Sequence, residues 1–266
     1  MRVGVLLNPS GECAPQLALI AAWAREQGHE VADLGTSAVP SGADPGCELL
    51  IALGGDGTIL RALQLAMPQR TPVLGVNFGH VGFLADVDGA QLGEALDTLA
   101  RGTEEIDERT ALVTTIPGEP PRTVIAFNDV VVQRLPGFGN ARLRVEVGGE
   151  TLLRLTGDGV VIASPTGSTA YTVGAGGPAV APSLDAIVLT PLASQGSPLR
   201  SLVVGGTDVV HVTMEPSSAP VSVEIDGRTI DDLPHPGTFE VHTAQRKARL
   251  VRTRPRTFYR DLANRL

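Results

Sequence analysis

The strongest constraint on the fold is a change of pattern near residue 106. Before it, short apolar runs alternate with helical periodicity. Arg2–Leu7, Val31–Leu34, Leu49–Leu53 and Val73–Val76 read as strands. Gln16–Gln27, Thr58–Met67 and Ala90–Ala100 read as helices, the first with Leu17, Ile20, Ala21 and Trp23 facing inward. Pro68 stops the second of these helices and Gly102 closes the third. Such alternation predicts a parallel sheet with helices on its faces. After Ile106 strand follows strand: Ala111–Ile116, Thr123–Gln133, Leu143–Val147, Val160–Ala163, Ala186–Leu189, Val209–Met214, Val221–Ile225 and Phe239–Thr243. Loops rich in Gly, Pro and Ser separate them. One helix is expected to start near Thr166, and a last one to span Arg256–Arg265. The charged stretch Glu105–Arg109 marks the expected boundary between an α/β region and a β-rich one.

Composition narrows the function classes. Hydrophobic residues are 42% of the 266, enough for a packed core, but aromatics are only 3%, so Val, Leu, Ile and Ala must fill it. A net charge of −8 argues against a nucleic-acid binder. Two cysteines, Cys13 and Cys47, make no disulfide framework in a chain this long, which points to a reducing cytoplasm. The first residues lack the long apolar core and cleavage site of a signal peptide, and no apolar run is long enough to span a bilayer, so no membrane association is expected. Lys247 is the only lysine among 21 basic residues. A phosphate-loop enzyme needs a lysine inside its glycine loop, and a protein kinase needs one on its third strand. Lys247 lies in Arg246-Lys247-Ala248-Arg249, which fits neither design.

Leu49–Leu53 runs into Gly54-Gly55-Asp56-Gly57-Thr58 and then a helix. Ligands of open parallel sheets sit at the carboxyl ends of strands. Glycines there admit a close ligand, and free N–H groups at a helix start attract phosphate. A carboxylate in such a place is repelled by phosphate unless it binds a metal, holds a hydroxyl or takes a proton. Asp56 is therefore a candidate general base. The plainer alternative is a turn in which Asp56 caps the helix. Asn77-Phe78-Gly79-His80-Val81-Gly82-Phe83-Leu84 follows the next strand and should lie beside this loop, with Phe78 as a wall for a base and His80 as a possible donor.

Asn128-Asp129 interrupts an apolar strand. The pair would either grip ribose hydroxyls or a base edge, or mark a bulge or strand end. Gly157-Asp158-Gly159-Val160-Val161-Ile162-Ala163-Ser164-Pro165-Thr166-Gly167-Ser168-Thr169-Ala170-Tyr171 reads as turn, strand, polar loop and helix start. Its density of small hydroxyl residues favours binding over a merely capped helix.

Together these blocks resemble the NAD kinase family. The match runs in order through 54–58, 77–84, 127–129 and 157–171, and continues in Gly176-Gly177-Pro178 and Pro182–Pro191. The resemblance implies a Rossmann-like α/β domain over 1–107, to which 255–266 returns, and a β-rich NAD-binding domain over 108–254, an NAD kinase-like fold. It implies transfer of a phosphoryl group from ATP or polyphosphate, with Mg²⁺ or another divalent cation, to the 2′-hydroxyl of the adenosine ribose of NAD. NAD would bind between the domains. Asp56 matches the catalytic aspartate, and Gly54, Gly55 and Thr58 would meet the donor phosphates. Gly57, Phe78, Asn128, Asp129, Asp158, Thr169, Ala170, Tyr171, Gly174 and Arg228 fall at substrate-binding positions. No metal-ligating side chains are assigned. A homodimer or homotetramer is usual in the family.

Several positions depart from the family pattern. Asp129 stands where glutamate is usual, Thr156 where a basic residue is common, Gly174 where serine is common, and Arg228 where glutamine is frequent. Ser194-Gln195-Gly196-Ser197 replaces a stretch that often holds Pro-His. Two alternatives are a lipid kinase of the diacylglycerol or sphingosine type, and a non-catalytic regulator that binds NAD or NADP.

Overall fold

A computed structural model describes residues 1–8, 13–36, 45–78, 82–118, 120–195, 199–230, 237–255 and 257–264. In chain order the elements begin β1 (Arg2–Leu7), α1 (Ala14–Glu26), β2 (Glu30–Thr36), β3 (Leu49–Leu53), α2 (Asp56–Ala66), β4 (Val73–Asn77), β5 (Val87–Asp88), α3 (Leu92–Arg101) and β6 (Glu105–Arg109). They continue as β7 (Leu112–Ile116), β8 (Arg122–Ala126), β9 (Asp129–Arg134), β10 (Ala141–Val147), β11 (Glu150–Gly157), β12 (Gly159–Ala163), α4 (Tyr171–Gly174) and β13 (Ala186–Leu192). The last are β14 (Leu202–Gly205), β15 (Val210–Met214), β16 (Val221–Ile225), β17 (Arg228–Ile230), β18 (Thr238–Thr243), β19 (Ala248–Arg252) and α5 (Phe258–Ala263). The chain divides into two compact units, Met1–Arg109 with Arg246–Leu266, and Thr110–Gln245.

The first unit is built on a sheet in the order β2-β1-β3-β4-β19-β6, with β5 beside β4. All neighbours run parallel except β6, which is antiparallel to β19. All five residues of β3, Leu-Leu-Ile-Ala-Leu, are buried, which explains their unbroken apolar run. One face of the sheet packs with α1 and α3 through Val3, Ile51, Leu74, Ile20, Trp23, Leu92 and Leu96. Burying each such Leu or Ile is worth about 1.5–3 kcal/mol. Glu105–Arg109, the expected boundary, ends the first stretch of this unit and forms its edge strand β6, where charge suits an exposed edge. One expectation changes: residues 246–254, which the resemblance gave to the β-rich domain, belong to the first unit and include β19, which fills the gap between β4 and β6. Its arginines had hidden its apolar Ala248, Leu250 and Val251, all buried.

The second unit stacks two antiparallel six-stranded sheets, β11-β10-β15-β18-β7-β8 and β14-β13-β12-β9-β16-β17. Their inner faces share one core that includes Leu143, Val212, Phe239, Val130, Ile162 and Val223. Strands such as β7, β15 and β16 alternate buried and half-buried residues, as a single covered face requires. β12 is different: every residue is buried, because Val180 and Ala175 cover the outer face of its sheet beside Val161 and Ala163. The expected single strand Thr123–Gln133 is two strands in two sheets. The chain crosses between them at Phe127–Asn128. The helix expected from Thr166 is a 3-10 turn, Gly167–Thr169, followed by the single turn of α4. Arg256 and Arg265, the expected ends of the last helix, lie outside the described residues, as do Gly79, His80, Gly196 and Ser197.

Candidate active site

In the first unit, β1 has β2 on one side and β3 on the other, so successive connections leave it in opposite directions. That reversal opens a crevice at the carboxyl ends of β1 and β3, where open α/β sheets place their ligands. Backbone pairing continues past the strand ends, from Asn8 N–H to Leu53 O (2.9 Å) and from Gly54 N–H to Val76 O (2.8 Å). The loop Gly54–Thr58 therefore rises between the ends of β1 and β4. Gly54 is buried, and a β-carbon there would stand 2.4 Å from Thr58 Oγ1, so this glycine is required by packing. Gly55 is the N-cap of α2, and its carbonyl accepts from Thr58 N–H (2.9 Å) and Ile59 N–H (3.2 Å); the amides of Asp56 and Gly57, ahead of these, lie where a helix offers no acceptor.

Asp56 is the first residue of α2, yet no side chain caps that helix. Its carboxylate instead turns to the segment that follows β4. Oδ2 accepts from Phe83 N–H at 3.0 Å and Oδ1 from Leu84 N–H at 3.4 Å. The carboxylate lies so close to Gly82 that any side chain there would collide with it. The helix-cap alternative is thus set aside by geometry. Asn77 is buried and its Oδ1 accepts from Phe78 N–H at 2.8 Å, while Phe78 as a residue is 42% exposed. An exposed ring beside a polar loop end suits stacking on a base.

The second unit gathers a separate set of groups around Asn128. At the tip of the β16–β17 hairpin, Asp226 (φ 48°) and Gly227 (φ 74°) make the left-handed turn that Asp-Gly favours. This turn aims the Asp226 carboxylate at the β8–β9 crossover. There it accepts N–H bonds from Phe127 (2.9 Å), Asn128 (2.7 Å) and Asp129 (3.2 Å). From the other side, Ser164 N–H bonds Asn128 O at 2.9 Å, and Ser164 Oγ donates to Phe127 O. Gly167 lies directly on Asn128, whose carbonyl oxygen would be 1.9 Å from a β-carbon on Gly167. Ser168 ties the same loop to Pro165 O (2.6 Å) and to Val180 N–H (2.8 Å). These small hydroxyl residues therefore work within the loop. They fix the backbone against Asn128 and leave Thr169 half-buried and Ala170 and Tyr171 exposed.

Asp129 opens β9 and is 5% exposed. Burial, with Asp226 and Glu224 beside it, pushes its carboxyl up to about 7. Gly174, at the end of α4, has open space where a serine side chain would stand. Arg228 is exposed on β17, next to the Asp226 turn. Asp158 is not brought to this group. Ala163 pairs with Asp129 at one end of β12, whereas Gly159 pairs with Gln133 at the other. Four strand residues separate the ends by roughly 13 Å. Asp158 instead forms an ion pair with Arg134 at 2.5 Å, so Arg134 is engaged there. Among the described residues, no group of three or more His, Cys, Asp or Glu side chains is arranged to hold a metal ion. No described helix is long and apolar enough to cross a membrane.

Sequence reasoning does not single out Asp226, Asp86 or Arg252 as functional residues. The sequence signal for Asp226 was an Asp-Gly pair closing an alternating strand. For Asp86 it was a lone carboxylate in Phe-Leu-Ala-Asp-Val.

Comparison with known proteins identifies the family. The family model for the ATP-NAD kinase N-terminal domain matches residues 22–104, and that for the ATP-NAD kinase C-terminal domain matches 127–253. An NAD kinase of Moorella thermoacetica is 41% identical over 215 residues, 80% of this chain and 68% of that protein. One of Natranaerobius thermophilus is 34% identical over 244 residues, 90% of this chain and 85% of that protein. Two crystal structures share the fold. Yeast NADH kinase complexed with NADH superposes with a TM-score of 0.86 at 23% identity, covering 98% of this chain and 86% of that one. An NAD kinase from Archaeoglobus fulgidus in complex with ATP gives 0.79 at 24% identity, covering 99% and 98%. With both halves matched by their family models and relatives above 30% identity along most of its length, the chain belongs to the NAD kinase family of phosphotransferase enzymes.

Proposed function

We propose that this enzyme transfers the terminal phosphoryl group of ATP to the 2′-hydroxyl of the adenosine ribose of NAD, giving NADP, with Asp56 as general base. The observation that carries the assignment is the setting of Asp56. It stands at the carboxyl end of β3, is oriented by the amides of Phe83 and Leu84, and leaves its own helix uncapped. A carboxylate so oriented can accept the proton of a hydroxyl as that oxygen attacks phosphorus. Gly54, Gly55 and Thr58, with the free amides of α2, would meet the donor phosphates. A divalent cation such as Mg²⁺ would enter on those phosphates, where it screens their charge; such ions commonly take only one or two protein carboxylates.

NAD recognition is assigned to Gly57 and Phe78 in the first unit, and to Asn128, Asp129, Thr169, Ala170, Tyr171, Gly174 and Arg228 in the second. Asn128 is supported by the double anchoring of its backbone, from Asp226 on one side and Ser164 on the other. Preorganised groups of this kind contribute through orientation rather than covalent chemistry. Asp158, at the far end of β12 and paired with Arg134, is assigned to NAD apart from that group. Polyphosphate as donor, a homodimer or homotetramer, and a cytoplasmic setting complete the proposal.

The test is Asp56→Asn in purified protein. NAD binding by calorimetry should survive, while NADP formation falls about 10²- to 10⁴-fold. A rate near wild type would show that Asp56 is not the base. Running the assay with ATP, polyphosphate and no donor separates the two donors. NAD affinity without NADP from any donor would favour a non-catalytic regulator.

A further inference from the structure

The Asp56 carboxylate is held by a segment that is itself held from behind. Phe83 and Leu84 turn their N–H groups to Asp56. Their carbonyls face Arg252, the last residue of β19. Arg252 Nη2 donates to Phe83 O (3.5 Å), and Nη1 donates to Leu84 O (3.2 Å) and Ala85 O (3.5 Å). The same guanidinium meets Asp107 Oδ2 on β6 through Nε and Nη2, both at 3.3 Å. It also faces the fully buried Asp86 carboxylate at 3.8 Å. The other oxygen of Asp86 accepts from Thr253 N–H (2.9 Å) and Thr253 Oγ1 (2.5 Å). Arg254 Nε closes the arrangement by donating to Asp86 O at 3.0 Å.

A guanidinium presents five donors in a fixed planar fork. Here that fork spans three consecutive carbonyls and two carboxylates, and Arg252 as a whole is only 8% exposed. Removing it would take these guanidinium bonds from the 83–85 carbonyls and the facing cation from Asp86, and would loosen the hold on the segment that orients Asp56. Arg252 also answers the buried charge of Asp86, but the pairing of the sheet does not by itself require its contacts with the 83–85 carbonyls. β19 already pairs with β6 through five residues from Ala248 to Arg252. The fork lies one peptide layer behind the group assigned to take the proton.

We propose that Arg252 is a positioning residue for phosphoryl transfer, fixing the Phe83–Ala85 backbone so that its amides hold Asp56 in the reactive orientation. This rests on the reading of Asp56 as general base. Lysine keeps the charge but, as a compact ammonium, cannot reach three carbonyls and two carboxylates together.

The experiment is a double-mutant cycle in the full chain: Arg252→Lys, Arg252→Gln, Asp56→Asn and the two combinations. Folding is followed by circular dichroism, and NADP formation with ATP and NAD at saturating and limiting concentrations. Arg252→Lys should lower kcat about 10- to 100-fold, the range expected when a reacting group is misplaced by a fraction of an ångström to 1 Å. The KM values for NAD and ATP should move less than about threefold, because the lost interaction serves the transition state. In the Asp56→Asn background the same substitution should change the residual rate less than about twofold, since groups acting as one unit are not additive. Equal losses in both backgrounds would overturn the proposal and assign Arg252 to stability alone. So would an Arg252→Lys enzyme with wild-type kcat. If Arg252→Gln fails to fold, Arg252→Lys still decides the matter. A wild-type rate for Asp56→Asn would instead overturn the general-base reading, and the proposal with it.

Discussion

The carboxylate of Asp56 occupies the space that a side chain on Gly82 would need. A β-carbon on Gly82 would lie 1.9 Å from Asp56 Oδ1 and 2.1 Å from Oδ2. Real atoms do not approach so closely, so one of the two residues would have to move. The glycine in this segment thus sets where the carboxylate rests, while the amides of Phe83 and Leu84 set its direction. Local sequence and the orientation of the proposed base meet at that contact.

Gly82→Ala is therefore expected to lower kcat about 100-fold, the effect of displacing a catalytic group by about 1 Å. The cost in stability should stay near 1–3 kcal/mol, typical of one inserted methyl group. Steady-state kinetics with urea denaturation on the same preparation checks both. A variant with wild-type kcat would show that the carboxylate position is not set by this contact.

Asp226 gives the second prediction. Its carboxylate satisfies three consecutive amides at the β8–β9 crossover, so Asp226→Ala leaves buried donors without their acceptor. The expected destabilisation is about 2–4 kcal/mol, because bonds to a charged acceptor are stronger than neutral ones. NAD affinity should fall as Asn128 loses its anchor. Asp226→Asn, which keeps one acceptor oxygen, should fall between wild type and Asp226→Ala in both measurements. Chemical denaturation and calorimetric titration with NAD supply the two numbers. An Asp226→Ala protein that binds NAD normally would separate the anchor from recognition.

The third prediction concerns pH. Asp129 is raised to about 7 by burial and by the neighbouring carboxylates Asp226 and Glu224. In the unfolded chain an aspartate titrates near 4. Between those values the folded protein holds a proton that the unfolded chain has released, so stability falls as pH rises and levels off above about 7. Asp129→Asn removes the titration. Its stability relative to wild type should thus grow from pH 5 to pH 8, by an amount on the order of a few kcal/mol. Thermal denaturation of both proteins across that range is the check. Parallel pH curves would mean that Asp129 is not protonated in the folded protein.

Some of this was legible in the residues alone. Leu49–Leu53 followed by Gly54–Thr58 is a continuous apolar run meeting a glycine turn and a helix, and the structure has β3, the loop and α2 in that order. Local periodicity suffices when a buried strand and an amphipathic helix are adjacent in sequence. Phe127–Asn128 was harder. The apolar run on both sides of it read as one strand, but the chain changes sheets there. The acceptor that makes the crossover possible, Asp226, is nearly a hundred positions away, at a separation of 97–99 residues.

The two-part pattern of α/β followed by β, the family, and the Asp56 loop at a strand end were determined by the sequence itself, because each is written in neighbouring residues. Tertiary structure alone decided where β19 inserts, how Asp226 anchors Asn128, and that Asp158 stands apart. It also decided that Arg252 reaches the backbone that holds Asp56, 168 residues from Leu84. These relations depend on which distant strands become neighbours. That choice is made by burial of whole sheet faces, not by any local motif.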